Sequence, residues 1–256
     1  MGRKLEITAL PNFPLVEPGD DLAGMIQASL AEAGLTLESG DCLVLAQKVI
    51  SKSENRYAYY KDVTPSPEAI ELAEKVNKDP RLMQLILDES VEIVKHRPGA
   101  VIVEHRLGYV HANAGIDQSN IANDPDNQRV LLLPVEPDKS AETLRQALQS
   151  ATGIDHLNIV ISDSAGRAWR NGIIGFAIGT AGFEPVVDEI GKKDLFGRAL
   201  EITQIAVADE LAAAASLLMG QADNAAPVIL IRGAKLQPSD NGSKELIRAK
   251  EQDLFR

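Results

Sequence analysis

A polar cluster that directly follows an apolar run is the first feature of this sequence that could do chemistry. The apolar residues 159–161 are followed by Asp163 and Ser164, and Arg167 and Arg170 come shortly afterwards. Carboxylate and hydroxyl oxygens suit Mg²⁺ or Mn²⁺, and arginines suit phosphate or carboxylate groups. The alternative is a loop in which Asp163 and Ser164 cap backbone donors. So many charged groups between two apolar runs favour a binding site, and we expect the strand to stop at Asp163.

Further polar residues follow other apolar segments. The segment 111–120 carries Asp117 and Asn120 behind a glycine, and the segment 219–224 follows an alanine-rich stretch. Gln47 and Lys48 lie near the end of the apolar run 41–50, which we expect to be a buried strand, and Lys52 comes just after it. Lysines at such a strand end suit an anionic ligand, although a solvated strand end is the alternative.

Other residue types that often mark functional sites carry no such signal here. His105 and His111 lack zinc-type spacing, so we interpret both as structural. Cys42 lies within an apolar run, which predicts a buried and inert thiol. The sequence contains neither GxxxxGK[ST] nor GxGxxG after a strand, so neither a P-loop nor a Rossmann site is indicated.

Composition bounds the class of protein. The 256 residues are enough for one domain or for two intimate subdomains, and a hydrophobic content of 45% can fill a core. The formal charge of −11 argues against a nucleic-acid surface. No apolar stretch approaches the roughly 18 residues of a membrane span, and the N-terminal residues lack a signal-peptide core. We therefore expect a cytoplasmic protein that binds neither membrane nor nucleic acid.

Periodicity predicts an alternation of hairpin-like strands with helices, which indicates an α+β (mixed α/β) fold. The expected strands cover 4–10, 41–50, 91–95, 100–105, 109–112, 130–134, 159–161 and 227–232. The expected helices cover 19–34, 66–89, 140–150, 201–219 and the tail 243–256. Pro67 and Pro80 stand at positions typical of a first helical turn.

Taken together, several motifs resemble those of the coenzyme F420:L-glutamate ligases, also called F420 γ-glutamyl ligases. They are LPNFPLVEPGDDL (10–22), LVLAQKVISKSE (43–54), HANAGIDQSN (111–120), ISDSAGRAWRNGIIGFAIG (161–179) and AVADELAAAASLLMGQADNAAPVILIRG (206–233). The combination is specific, and it covers nearly the whole chain. The length resembles that of the stand-alone form, without the nitroreductase-like domain that some members carry.

The resemblance implies a GTP-dependent ligase that joins L-glutamate to a carboxylate of a deazaflavin precursor. It implies an acyl-phosphate intermediate and further additions that form a γ-linked tail. It also implies Mg²⁺ or Mn²⁺ as two divalent ions, K⁺ as a further candidate, a homodimer, and a fold specific to the family with mixed sheets and packed helices.

The resemblance also assigns roles to individual residues. Asp117 and Asp163 are expected to bind one divalent ion, and Ser164 and Gln221 a second one. Arg167 joins the two aspartates as a catalytic candidate, because its charge suits the phosphates. The expected nucleotide-binding residues are Leu10, Pro11, Asn12, Phe13, Gln47, Lys48, Lys52, Asn120, Met219, Gly220, Gln221, Ala222, Asp223, Asn224, Ala225 and Ala226.

Two other functions use the same residues. A metal-dependent phosphohydrolase would use the carboxylates to activate water and would need no amine acceptor. A non-catalytic GTP-binding protein would bind the nucleotide without turnover.

Overall fold

The structure is a computed structural model that describes residues 4–122 and 124–254. Its strands are β1 (Glu6–Ala9), β2 (Cys42–Ala46), β3 (Tyr57–Tyr59), β4 (Ser90–Arg97), β5 (Ala100–His105), β6 (Val110–Ala112), β7 (Arg129–Leu131), β8 (Asn158–Arg167), β9 (Arg170–Ala181), β10 (Val187–Asp188), β11 (Gln204–Ile205) and β12 (Val228–Arg232). Its helices are α1 (Leu22–Glu32), α2 (Gln47–Ser53), α3 (Pro67–Val76), α4 (Pro80–Asp88), α5 (Pro137–Thr152) and α6 (Val207–Met219). The α+β prediction is confirmed.

The central element is a five-stranded sheet in the order β1-β12-β2-β8-β9. Only β2 and β8 run parallel, and the other neighbours are antiparallel. A separate antiparallel sheet contains β4, β5 and β6, while β3 pairs with β7 and β10 with β11. None of the helices in the described part of the chain is long and apolar enough to span a membrane.

Both faces of the central sheet are covered, which explains why β2 is apolar along its whole length and why β12 is apolar as far as Ile231. Leu43 and Leu45 of β2 face the core that contains α1 and α5. Cys42 and Val44 face the other way, toward the alanine-rich face of α6. Burial raises the pKa of the Cys42 thiol far above its ordinary value, so the prediction of a buried thiol is confirmed.

A second core lies beside the central sheet. The helices α3 and α4 pack against residues of β5 and β7, including Val101, Val103 and Val130. Ser66 and Asp79 cap the two helices, each of which begins at a proline, so the predicted role of Pro67 and Pro80 is confirmed.

Two expected boundaries at the polar clusters are wrong. The run 41–50 is not one strand, because β2 ends at Ala46 and α2 begins at Gln47. Val49 and Ile50 are buried on this helix, so its apolar face looked like a continuation of the strand. Similarly, β8 does not stop at Asp163 but continues to Arg167, because β9 supplies an antiparallel partner for its backbone. Residues 165–174 of this pair are called the hairpin arm below.

Four predicted helices also differ from the structure. The helix expected at 140–150 begins earlier, at Pro137, and the one expected at 201–219 begins only at Val207, because residues 204–205 form β11. The tail 243–256 forms two short 3₁₀ turns, Ser243–Leu246 and Lys250–Gln252, and its last two residues lie outside the description. The helical region expected at 66–89 is divided into α3 and α4, because Asn77 has a left-handed conformation after α3. The remaining predicted elements are present, with ends that shift by a few residues.

Two glycines in β9 allow helices to approach both faces of the sheet. A Cβ atom at Gly175 would lie 2.5 Å from the backbone oxygen of Ala212 in α6. A Cβ atom at Gly179 would lie 2.7 Å from the backbone oxygen of Pro137 in α5. These two glycines are therefore explained by the close approach of α6 and α5.

Gly179→Ala is expected to lower the free energy of unfolding by about 1–3 kcal/mol, because the first turn of α5 must move to admit a methyl group. Gly166→Ala is the matched control, since a Cβ atom there would meet no atom within 4 Å. Chemical denaturation of the two variants checks this expectation. Equal stability of the two would show that the approach of α5 is not tight.

Candidate active site

The parallel pairing of β2 and β8 brings two polar segments to one edge of the central sheet. Ala46 is paired with Ser162 at the last step of this ladder. The chain then continues to Gln47 on one side and to Asp163 on the other. Carboxyl ends of neighbouring parallel strands are a common place for ligand sites.

A cavity of about 830 Å³ opens at this edge. Most of the predicted site residues line it, namely Phe13, Gln47, Lys48, Lys52, Asp117, Asn120, Asp163, Ser164, Met219, Gly220, Gln221, Ala222, Asp223, Ala225 and Ala226. Segments that are distant in sequence therefore meet in space, as a shared site requires.

Five predicted residues lie outside the described lining of this cavity. Leu10 is buried in the core, and its neighbour Pro11 is half-buried. The Asn12 side chain donates a hydrogen bond to Glu32, which lies on α1. The exposed Asn224 lies against Gly220, and Arg167 donates to the backbone oxygen of Gly172 at 3.4 Å on the hairpin arm.

Asp117 is held by both its backbone and its side chain. Its N–H and C=O groups exchange hydrogen bonds with Leu131 at 2.9 and 3.0 Å. The Lys48 ammonium group lies 2.7 Å from Oδ2, and the Gln47 amide donates to the same oxygen. Gln47 is buried, and its own Oε1 accepts from the Ser51 hydroxyl at 2.8 Å, which fixes the direction of the amide.

Burial raises the pKa of Asp117 above its ordinary value. The Lys48 charge opposes this shift, and the negative charge of Asp163 adds to it. The two carboxylates are thus close enough to repel each other. A cationic ligand between them would relieve this repulsion.

Asp163 contacts a different set of donors. Its Oδ2 lies 3.0 Å from Nε2 of His111, and its Oδ1 accepts from the backbone N–H of Ser164 at 2.7 Å. The interpretation of His111 as a purely structural residue is therefore incomplete, because its ring reaches the cavity carboxylate. His105 does fit the structural interpretation, since it is buried 3.5 Å from Glu89.

Three cations line the same cavity as the carboxylates. Lys48 and Lys52 were expected there, whereas Arg129 was missed. The Arg129 guanidinium group lies 3.9 Å from the centre of the Tyr57 ring. Burial lowers the pKa of Lys52, and the charges of Lys48 and Arg129 also lower it, although Glu17 opposes them. Cations that repel each other in this way suit a ligand with several negative charges.

Hydrogen bonds join the loops around the cavity. The Lys52 ammonium group donates to the backbone oxygen of Asn120 at 2.9 Å, and the Asn120 amide donates to the backbone oxygen of Ala222 at 3.1 Å. Gly220 has a φ of 67°, so the turn out of α6 suits glycine. The loop that carries Gln221 is thereby tied to the loop that carries Asp117.

The oxygen atoms that line the cavity are of the kind that the expected divalent ions prefer as ligands. Asp117, Asp163, Ser164 and Gln221 line the cavity and offer only oxygen donors, which fits Mg²⁺ or Mn²⁺. Within residues 4–122 and 124–254, no group of three or more His, Cys, Asp or Glu residues is arranged to hold an ion. Magnesium commonly binds one or two carboxylates together with substrate phosphates, and the residues here fit that pattern.

The fold and the cavity have the features of an enzyme, and comparisons with known proteins define the class as a ligase. A family model described as F420-0:Gamma-glutamyl ligase matches residues 12–233. The chain therefore belongs to the F420-0:gamma-glutamyl ligase family, which confirms the resemblance of the motifs.

Individual relatives match along nearly the whole chain. The chain is 46% identical over 255 residues to the coenzyme F420:L-glutamate ligase of Methanothermobacter thermautotrophicus, which covers 98% of this chain and 99% of the relative. It is 43% identical over 256 residues to the protein of that name from Methanocaldococcus jannaschii, with 99% and 98% covered. The relative from Methanopyrus kandleri is 42% identical over 256 residues, with 98% of both chains covered.

The ion pair between Lys48 and Asp117 yields a prediction about stability without ligands. Lys48→Met is expected to lower the free energy of unfolding by about 1–3 kcal/mol at pH 7, because a largely buried carboxylate then loses its cation. Asp117→Asn is expected to leave the Tm level or raise it, and the double variant should be more stable than Lys48→Met alone.

The pH dependence follows from the raised pKa of Asp117. Below the unfolded-state pKa of about 4, Asp117 is protonated in both states, so its charge does not lower the free energy of unfolding. As the pH rises through the higher folded-state pKa, the buried carboxylate becomes charged and the free energy of unfolding falls. The Tm difference between Asp117→Asn and the parent chain should therefore grow in favour of the variant from pH 4 to pH 7. Thermal unfolding in a chelator checks this, and a deficit of the variant that deepens with pH would contradict it.

Proposed function

We propose that this chain is a GTP-dependent ligase that joins L-glutamate to a carboxylate of the deazaflavin precursor of coenzyme F420. The observation that carries the proposal is the cavity in which Lys48, Lys52 and Arg129 face Asp117 and Asp163. A nucleoside triphosphate needs both cations for its phosphates and oxygen ligands for its divalent ion. The relatives are named coenzyme F420:L-glutamate ligases, and this supports the same reaction.

The reaction has two steps, phosphoryl transfer and amide formation. An oxygen of the precursor carboxylate attacks the γ-phosphorus of GTP, the bond to the β-phosphate oxygen breaks, and GDP leaves an acyl phosphate behind. The glutamate α-amine then attacks the acyl carbon, the bond to the phosphate oxygen breaks, and the amine gives up a proton as the amide forms. A second round can use the γ-carboxylate of the added glutamate, which would build a γ-linked tail.

The residues of the cavity have defined tasks in this proposal. Lys48, Lys52 and Arg129 bind the phosphates and the acidic substrates, and Arg167 is a further candidate if the hairpin arm bends inward. Asp117, Asp163, Ser164 and Gln221 would hold Mg²⁺ or Mn²⁺, with K⁺ as an additional activator. When bound, a divalent ion supplies positive charge that neutralises the phosphates as the phosphoryl group is transferred.

Positions near the cavity also suit an intermediate that must be kept from water. Phe13, Ile173 and Met219 contribute apolar surface to its lining. Val16 and Val49 also line it, and both are buried, as is Phe13. These side chains exclude water from one side of the site while the polar groups orient the reactants.

The test is mass spectrometry of the deazaflavin after incubation with GTP, L-glutamate and Mn²⁺. The expected result is a product that has gained one or more glutamates, together with GDP in step with the amide bonds formed. ATP in place of GTP should give little product. Phosphate release without glutamate and without a ligated product would favour a phosphohydrolase, and GTP binding without any turnover would favour a nucleotide sensor.

Lys52→Met is expected to weaken GTP binding by roughly tenfold or more, since a charge-assisted contact to phosphate is worth about 1.5–3 kcal/mol. Lys75→Met is the matched control, because Lys75 is exposed on α3 and pairs with Glu71. Titration calorimetry with GTP compares the two variants. Identical binding curves would remove Lys52 from the site.

We also propose a homodimer. The small residues of α6 are used within the chain, since Ala208, Ala212 and Ala215 are buried against the sheet. The support comes instead from large apolar side chains that remain almost fully exposed, among them Leu195 and Phe196.

At micromolar protein concentration, light scattering is expected to give a molecular mass twice that of one chain. The substitution Phe196→Asp should shift the measured mass toward that of the monomer. Val91→Asp, at an exposed position of β4, is the matched control. A monomer mass for the parent chain would contradict the dimer.

A further inference from the structure

We propose that His111 is a positioning residue that fixes the Asp163 carboxylate for binding a divalent ion. This inference rests on the proposed function in one respect, namely that Asp163 serves as a ligand of the ion. It adds a role for a side chain that belongs to a different sheet and that has no assigned place in the chemistry.

The contact between the two side chains is short and shielded from water. Nε2 of His111 lies 3.0 Å from Oδ2 of Asp163, and the side chains are only 8% and 9% exposed. A hydrogen bond to a carboxylate is strong, and low solvent exposure strengthens it. Since a carboxylate can only accept, Nε2 must carry the proton in this contact.

The two oxygens of Asp163 are therefore held from two sides. His111 holds Oδ2, and the backbone N–H of Ser164 holds Oδ1 at 2.7 Å. Rotation of the carboxylate would break at least one of these bonds. The lone pairs that remain are presented in a fixed direction, which is what a small, hard ion with strict geometry requires.

The ring of His111 is placed by strand pairing and by an aromatic neighbour. His111 is the buried residue of β6, and it pairs with Val103 of β5. Its ring meets the Phe176 ring edge-on, with the centroids 5.4 Å apart, and Phe176 is the β9 partner of Asp163. His111 thus links the three-stranded sheet to the central sheet at Asp163.

The other ring nitrogen of His111, Nδ1, has a different environment. Nδ1 is buried and has no hydrogen-bond partner among the described residues. Leaving a buried polar atom without a partner is unfavourable. The bond to Asp163 is the polar contact that orients it.

His105 provides an internal comparison. It is also buried, and its Nδ1 accepts from the backbone N–H of Leu107 at 3.0 Å. Its Nε2 lies 3.5 Å from Glu89, which also pairs with Arg106 at 2.9 Å. This cluster lies apart from the cavity lining, so a change at His105 should affect stability without affecting ion binding.

The experiment measures Mn²⁺ binding by electron paramagnetic resonance titration in the presence of GDP, without turnover. His111→Phe keeps the ring volume but removes the N–H donor, and His111→Asn keeps polarity but is too short to reach Asp163. His111→Gln restores an N–H donor at a similar reach. His105→Gln is the matched control.

Loss of an outer-shell partner commonly weakens metal binding by about 10–100-fold, and this range is expected for His111→Phe and His111→Asn. His111→Gln should stay within roughly threefold of the parent chain, and His105→Gln should lower the Tm while leaving the Mn²⁺ affinity unchanged. If His111→Phe fails to fold, His111→Asn and His111→Gln still provide the comparison.

Three results would overturn the inference. The first is an unchanged Mn²⁺ affinity in the folded His111→Phe or His111→Asn variant. The second is an equal loss of Mn²⁺ affinity in His111→Gln and His111→Asn. The third is that the parent chain does not bind Mn²⁺. The proposed function is tested by a separate result, because it requires a glutamyl product from the parent chain. Weakened Mn²⁺ binding in the variants together with no such product would refute the ligase and keep the role of His111.

Discussion

The parallel ladder between β2 and β8 is the constraint on which the site depends. It aligns Ala46 with Ser162, so the two chains leave the sheet side by side. One continues into α2 and supplies Gln47 and Lys48, and the other supplies Asp163 at the base of the hairpin arm. The antiparallel neighbours β12 and β9 flank this pair and keep it in the interior, where helices cover both faces. A shift of this register by one residue would turn Asp163 to the opposite face.

Repulsion between like charges within the cavity indicates the kind of ligand that the cavity suits. Asp117 is neutralised in part by Lys48, yet burial and the charge of Asp163 still raise its pKa. The cations also crowd each other, since the charges of Lys48 and Arg129 lower the pKa of Lys52. A ligand that carries both phosphates and a divalent ion would relieve both kinds of repulsion at once. Relief of this repulsion would add to the affinity for such a ligand.

The sequence pattern predicted the fold class, and the resemblance of the motifs implied that residues from three polar segments share one site. The pattern misplaced the end of β2 because Val49 and Ile50 are apolar on a helix, and a short apolar run has no distinctive period. It also missed the continuation of β8, since the pairing of polar residues depends on a distant partner strand. Arg129 and His111 could not be assigned to the site from sequence, because tertiary contacts with Tyr57 and Asp163 place them there.

We propose that Asp117 and Asp163 bind one divalent ion against the phosphates of a nucleotide. Anomalous diffraction at the manganese edge, from crystals grown with GDP and Mn²⁺, tests it most directly. The account predicts a peak about 2 Å from a carboxylate oxygen of each aspartate, with the phosphates on its open side and with His111 still bonded to Asp163. A peak bound by other residues, or a nucleotide bound outside this cavity, would contradict it.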